Sequence, residues 1–308
     1  MRKLALIILC VFLVAILTFR MLAGEKFSLE SGGRTRTYSL HTPKDYTPSK
    51  RWPVIFLIHG AGGQGTGMAR VAHFDDFAER NGIIAVYPDG VDRRWADGRG
   101  TTTPEREGVN DVAFFSALLD KLEATYSVDP SRVYATGLSN GGFMSFKLAC
   151  DLSARIAAVA PVAATFSLRL SQECHPARPI SVLEINGTSD PLVPYEGGGM
   201  MRGSGGQILS ALDSAKAWAK IDGCAETPAT DSLAPKSENG LETRHEIYSG
   251  CRGGTEVALY SIVGGGHTWP GGMQYAPQFF IGKTSRDFDA NETIWKFFQA
   301  HPLPAATP

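Results

Sequence analysis

The sequence has no surplus of either charge: 30 Lys and Arg stand against 31 Asp and Glu in 308 residues, a formal net charge of −1. A nucleic-acid-binding face needs a basic excess that is missing here. Its five cysteines contain no C-x-x-C pair, which removes the common zinc and dithiol spacings. No G-x-x-x-x-G-K-[ST] run occurs, so the phosphate-cradling loop of nucleotide hydrolases is not expected. There is no internal repeat and no linker-like stretch, which argues for one folded unit. What is abundant is glycine, with 34 residues, beside 18 prolines; both favour tight turns over long helical runs.

The first residues form a separate segment. Arg2 and Lys3 precede an apolar run from Leu4 to Leu17, closed by Thr18, Phe19 and Arg20. A charged start before an apolar stretch of about 7–15 residues is the form of an export signal. The small residues Ala23 and Gly24 make a poor cleavage site, so residues 1–23 read as a signal peptide or an uncleaved anchor. Residues 4–19 would form the anchor, which would leave the protein membrane-attached rather than secreted or periplasmic. Setting Cys10 aside with that segment, Cys150, Cys174, Cys224 and Cys251 remain. They are an even number in a compartment expected to be oxidising. Four cysteines allow three pairings, and proximity favours Cys150–Cys174 with Cys224–Cys251.

Beyond the leader, residues 24–301 read as one α/β unit and 302–308 as a disordered tail. Phe27–Ser31 and Arg34–Thr42 flank Gly32-Gly33 as a hairpin. Val54–Ile58 and Ile83–Tyr87 are unbroken apolar runs, the pattern of strands buried on both faces, and Ile180–Ile185 reads as another buried strand. Ser131–Thr136, Glu242–Ser249 and Val257–Val263 are further strands, and Ile156–Val162 is another apolar segment. Helical patterns cover Met68–Asn81, Asp111–Tyr126, Gly141–Leu152, Gln207–Ile221 and Ala290–Gln299. In the last of these, Asp289 and Glu292 have capping-box spacing. The alternation predicts a doubly wound, mostly parallel sheet with antiparallel N-terminal strands.

In such sheets ligands bind beyond the carboxyl ends of the strands. There the short run G-L-S-N-G places Ser139 between a strand and a helix, the context in which a serine becomes a candidate nucleophile. A serine hydroxyl needs a base, and the base needs a carboxylate to orient it. Asp190, in N-G-T-S-D-P-L-V-P-Y, follows the strand Ile180–Ile185. His267, in G-G-G-H-T-W-P-G-G, follows Val257–Val263. The order Ser, Asp, His suits this architecture. Asp213 and Asp222 are weaker rivals on a helix and its end, and the other histidines lie off the strand ends or precede Ser139. Two backbone donors should face a developing oxyanion: the N–H of Asn140, after the serine, and that of Ala61 in H-G-A-G-G after the third strand. Trp95 and Trp269 stand in loops expected to border the cleft, where aromatic walls would suit an aromatic acyl group or a sugar face. Gly197–Gly206 is a glycine-rich loop expected near Asp190.

These motifs, with Y-P-D-G and D-P-S-R-V-Y-A-T-G-L-S-N-G-G, resemble the secreted polyhydroxybutyrate depolymerase, feruloyl esterase and acetylxylan esterase group. Its members are related to carbohydrate esterase family 1 and have the α/β-hydrolase fold. The resemblance runs from about Phe27 to Phe298. It implies a serine esterase with Ser139 as nucleophile, Asp190 as acid and His267 as base, needing no metal and no organic cofactor. Asn186-Gly187 replaces the His-Gly often found in relatives, and Asn110-Asp111 replaces paired aspartates; neither touches the triad. The implied substrates are acetyl or feruloyl esters on plant polysaccharide, with polyhydroxyalkanoate oligomers as the alternative. A peptidase could use the same triad but would be expected to carry a cap or propeller to select peptides. A non-catalytic envelope-binding protein would tolerate loss of a triad member, and none is lost.

Overall fold

The computed structural model describes residues 26–200, 205–236 and 240–304. The expected export segment with Cys10, residues 201–204 of the glycine-rich loop and residues 305–308 of the expected tail lie outside them.

The chain opens with β1 (Lys26–Ser31) and β2 (Arg34–His41), an antiparallel hairpin turned by Gly32 and Gly33 at φ 59° and 71°. β3 (Trp52–Ile58) follows and is buried at every position. Next come α1 (Gly65–Ala72), α2 (Phe74–Asn81), β4 (Ile84–Pro88), α3 (Thr103–Arg106) and α4 (Asp111–Thr125). β5 (Val128–Leu138), α5 (Asn140–Asp151), β6 (Ala158–Val162), α6 (Leu168–Glu173) and β7 (Ser181–Gly187) complete the centre. The two-residue strands β8 (Gly198–Gly199) and β9 (Gln207–Ile208) precede α7 (Ala211–Asp222). β10 (Ala229–Leu233), β11 (Thr243–Tyr248), β12 (Val257–Ile262), α8 (Gln278–Ile281) and α9 (Ala290–Ala300) finish the chain.

Ten strands form one sheet in the order β1-β2-β4-β3-β5-β6-β7-β12-β11-β10. The run from β4 to β12 is parallel throughout. The first two strands join antiparallel, as expected, but so do β10 and β11 at the far edge. Apolar side chains alternate to the two sheet faces, and each face is sealed by helices. One face packs Phe115, Leu118, Phe146 and Trp218, and the other Met68, Phe77, Ile294 and Phe298. Hydrophobic burial on both sides is what a doubly wound sheet requires.

Two helix expectations change, and the segment between β4 and α4 carries a short helix not expected from the sequence. The helix expected over Met68–Asn81 is two helices, broken where His73 takes the left-handed conformation at φ 50°. The break lets Met68, Ala69 and Ala72 on one side and Phe74, Phe77 and Ala78 on the other all reach the core. The helix expected from Gln207 begins at Ala211 with Ser210 as cap, its hydroxyl accepting from the Asp213 N–H at 3.0 Å. The loop Val91–Gly108 contains α3, capped by a reciprocal Thr102–Glu105 box. Disulfides join Cys150 to Cys174 and Cys224 to Cys251.

Candidate active site

A cleft of about 440 Å³ opens at the carboxyl end of the parallel strands. Loops after β3, β5, β7 and β12 supply Ala61, Ser139, Leu192 and His267 to its lining. This is the position the topology assigns to a ligand site.

Ser139 sits at the turn between β5 and α5 with φ 58° and ψ −119°. An L-residue enters that region only at a cost of about 1–3 kcal/mol, recovered from the surroundings. Those surroundings are tight. A Cβ on Gly141 would lie 2.1 Å from the Ile58 carbonyl oxygen, and one on Gly137 would lie 2.6 Å from the same atom. Glycine at both places lets the start of α5 press against β3. The Ser139 N–H donates to the Val162 carbonyl at 2.9 Å, and the hydroxyl is not spent on capping the helix.

Asp190 and His267 meet at the same cleft. Asp190 Oδ2 lies 2.7 Å from His267 Nδ1, and their side chains are only 2% and 4% exposed. The other carboxylate oxygen accepts the N–H groups of Leu192 and Val193 at 2.7 and 2.9 Å. A carboxylate held by donors on one oxygen takes the Nδ1 proton of the imidazole on the other. That leaves Nε2 as the ring's acceptor. The backbone of His267 is also fixed: its N–H donates to Ile281 at 2.5 Å, and its carbonyl accepts the Tyr275 hydroxyl at 2.8 Å.

The H-G-A-G-G loop is organised by His59. The Gly90 N–H donates to His59 Nε2 at 3.0 Å, so Nδ1 carries the proton and donates to the Gly60 carbonyl at 2.8 Å. Burial pushes the imidazole pKa down, which keeps the ring in this neutral form. The Gly63 N–H also donates to the Gly60 carbonyl, at 2.9 Å. In a trans peptide the next N–H points opposite to its carbonyl, so pinning the Gly60 oxygen fixes the direction of the Ala61 N–H. Sequence order had set His59 aside; its role is visible only once β3 and the Gly90 turn are adjacent.

The glycines of this loop, Gly60, Gly62 and Gly65, have G-x-G-x-x-G spacing after a strand and before a helix. A dinucleotide reading is countered by Asp89, whose carboxylate already accepts the Gly65 N–H at 2.8 Å. A negative group at the start of α1 occupies the place a phosphate would need.

Trp95 and Trp269 require correction as cleft-bordering residues. Both have 0% exposure and neither lines the cleft. Their ring N–H groups turn inward, Trp95 to the His59 carbonyl and Trp269 to Asn291 Oδ1, each at 2.9 Å. They brace the loops that shape the site. The cleft's apolar lining comes instead from Met68, Val71, Leu192, Val193, Met200 and Ile281, with Tyr275 at its rim. Among the described residues no group of three or more His, Cys, Asp and Glu is placed to hold a metal ion.

A doubly wound parallel sheet with a serine at a strand–turn–helix elbow, and a carboxylate and a histidine after later strands, defines an α/β-hydrolase. Comparison with known proteins places the chain in a family. The chain belongs to the Esterase family, described as "Putative esterase", whose model matches residues 30–237. It is 31% identical to "Putative esterase NocK" of Nocardia uniformis subsp. tsuyamanensis, over 86% of this chain and 79% of that protein. It is 30% identical to feruloyl esterase C of Emericella nidulans, over 86% of this chain and 84% of that one. Among solved structures, acetyl xylan esterase from Aspergillus awamori superposes with a TM-score of 0.59. That match covers 90% of this chain and 100% of the other at 14% identity, a likeness of fold. The protein is a carboxylic ester hydrolase.

Proposed function

We propose that the protein is an exported serine esterase that releases acetyl or feruloyl groups from plant polysaccharide through a covalent acyl-enzyme. The observation carrying this reading is the buried 2.7 Å pairing of His267 with Asp190 at the cleft that also holds Ser139 at its strained turn. The feruloyl esterase relative supports the acyl class, and two disulfides support an oxidising destination. Residues 24–301 are the catalytic unit in this reading.

Ser139 Oγ attacks the ester carbonyl as His267 Nε2 takes its proton. Asp190, bound to Nδ1, stabilises the imidazolium that results. The N–H groups of Ala61 and Asn140 receive the oxyanion; one such donor contributes about 3–4 kcal/mol in comparable sites. The imidazolium returns its proton to the leaving alcohol. Water, deprotonated by the same nitrogen, then hydrolyses the acyl-enzyme. None of these steps calls on a metal or an organic cofactor.

Methyl ferulate, acetylated xylan and hydroxybutyrate oligomers, assayed in parallel, test the substrate class. Higher kcat/KM on either of the first two is expected. A preference for the oligomers would replace the polysaccharide reading with that of a polyester hydrolase.

A further inference from the structure

One buried ion pair is unused by these steps. Asp97 and Arg99 lie between β4 and α3, with side chains 0% and 1% exposed. Arg99 Nε donates to both carboxylate oxygens at 3.1 and 2.9 Å, and Nη2 donates to Oδ2 at 2.5 Å. Removing two charges from water is costly and is offset only by close geometry with further partners. The further partner here is the residue after Ser139. Asn140 Nδ2 donates to Asp97 Oδ2 at 2.5 Å, while Asn140 Oδ1 accepts the Trp95 N–H at 2.9 Å. The Arg99 guanidinium also lies 4.2 Å over the ring of Phe143, one turn along the same helix. Both members of the pair therefore grip the first turn of α5.

We infer that Asp97 and Arg99 are positioning residues for the oxyanion site: Asp97 tethers Asn140 through its side chain, and Arg99 neutralises that carboxylate. The inference rests on the reading of Ser139 as nucleophile and the Asn140 N–H as oxyanion donor. Two effects follow from it. A helix N-terminus favours anions through its free N–H groups. A bare carboxylate bonded to the side chain of its first residue would compete for that potential and oppose the charge of the transition state. The tether acts separately, by holding the Asn140 peptide at a fixed angle before charge develops, which is how preorganised donors outperform mobile ones.

The test uses the full chain, a short-chain nitrophenyl ester, and Ser139→Ala as the reference for the nucleophile reading. Asn140→Ala keeps the backbone donor and removes the tether together with the acceptor of the Trp95 N–H; kcat should fall about tenfold, with KM within about twofold. Arg99→Gln should lower kcat by about 10- to 100-fold, and adding Asp97→Asn should recover most of that loss, because charge rather than shape is at fault. Affinity for an alkyl boronic acid, which binds as a tetrahedral anion, should weaken in step with kcat. If Ser139→Ala retains wild-type activity, the nucleophile reading itself fails. If Ser139→Ala is inactive but Asn140→Ala keeps wild-type kcat, the positioning role is overturned. The same holds if the double variant is no better than Arg99→Gln alone. Should Arg99→Gln fail to fold, Asn140→Ala and the Asp97→Asn/Arg99→Gln pair still decide the matter.

Discussion

Replacing Ser139 by glycine and by alanine separates what the residue does chemically from what its backbone costs. Both variants lose the hydroxyl and should lose hydrolysis. They should differ in stability. At φ 58° and ψ −119° any Cβ is strained, at about 1–3 kcal/mol, and alanine keeps that strain whereas glycine relieves it. Glycine also enlarges the unfolded ensemble, which costs about 0.4–1 kcal/mol. The serine side chain makes no capping hydrogen bond to the helix, so its removal introduces no such loss in either variant. The balance leaves Ser139→Gly more stable than Ser139→Ala by about 1–2 kcal/mol. For domains of about 150–250 residues each kcal/mol moves Tm by about 2–4 °C. Differential scanning calorimetry of the two variants, with circular dichroism to establish a native fold, should show glycine melting several degrees higher. If alanine melts at the same temperature or above, the turn stores no strain and the account of the elbow is wrong.

Gly141→Ala should be worse than either, because its Cβ would meet the Ile58 carbonyl oxygen at 2.1 Å and backbone cannot yield cheaply. Overpacking of this kind costs about 1–3 kcal/mol or more, and soluble protein should show a large loss of kcat; near-wild-type kcat and Tm would contradict the packing argument. Trp95→Phe removes the 2.9 Å bond to the His59 carbonyl, and should lower kcat several-fold with little change in KM on a small ester; an unchanged kcat would remove Trp95 as a brace. Reduction of the Cys150–Cys174 and Cys224–Cys251 bridges, which span separations of 24 and 27 residues, should destabilise by about 3 kcal/mol each on loop entropy. Urea unfolding with and without reductant measures this. Burial pushes the Asp222 carboxyl up to about 6, so the folded state holds its proton more tightly than the unfolded chain. That contribution is present at low pH and is lost as pH rises through about 6. Asp222→Asn should therefore gain on wild type, in relative stability, between pH 4.5 and 7 by urea titration; a constant difference would refute the assignment.

The elements that read best from the sequence are those with an unbroken local signal. Val54–Ile58 and Ile83–Tyr87 are apolar enough to demand burial on both faces. Once the parallel sheet they imply is given, Ser139, Asp190 and His267 fall at the ends of later strands in chain order. The missed elements lack such a signal. β10 is exposed at all five positions, so it shows no alternation, and the antiparallel far edge went unseen with it. Trp95 and Trp269 stand in loops, which ordinarily means surface, but each ring N–H has a partner inside the fold. His59, Asp97 and Arg99 escape for a further reason. Their roles come from partners distant in sequence, such as Gly90 for His59 and Asn140 for Asp97, 31 and 43 positions away. No window of local pattern contains both members of such a pair.

The central claim is that Ser139 carries the acyl group. Incubation with a nitrophenyl acetate, rapid acid quench and peptide mass spectrometry locate the covalent intermediate. The account predicts a single acetyl group on the peptide containing Ser139. It also predicts a burst of nitrophenol matching the enzyme concentration, and no label in Ser139→Ala. Steady turnover by Ser139→Ala at the wild-type rate, or a label on another residue of the cleft, would contradict it.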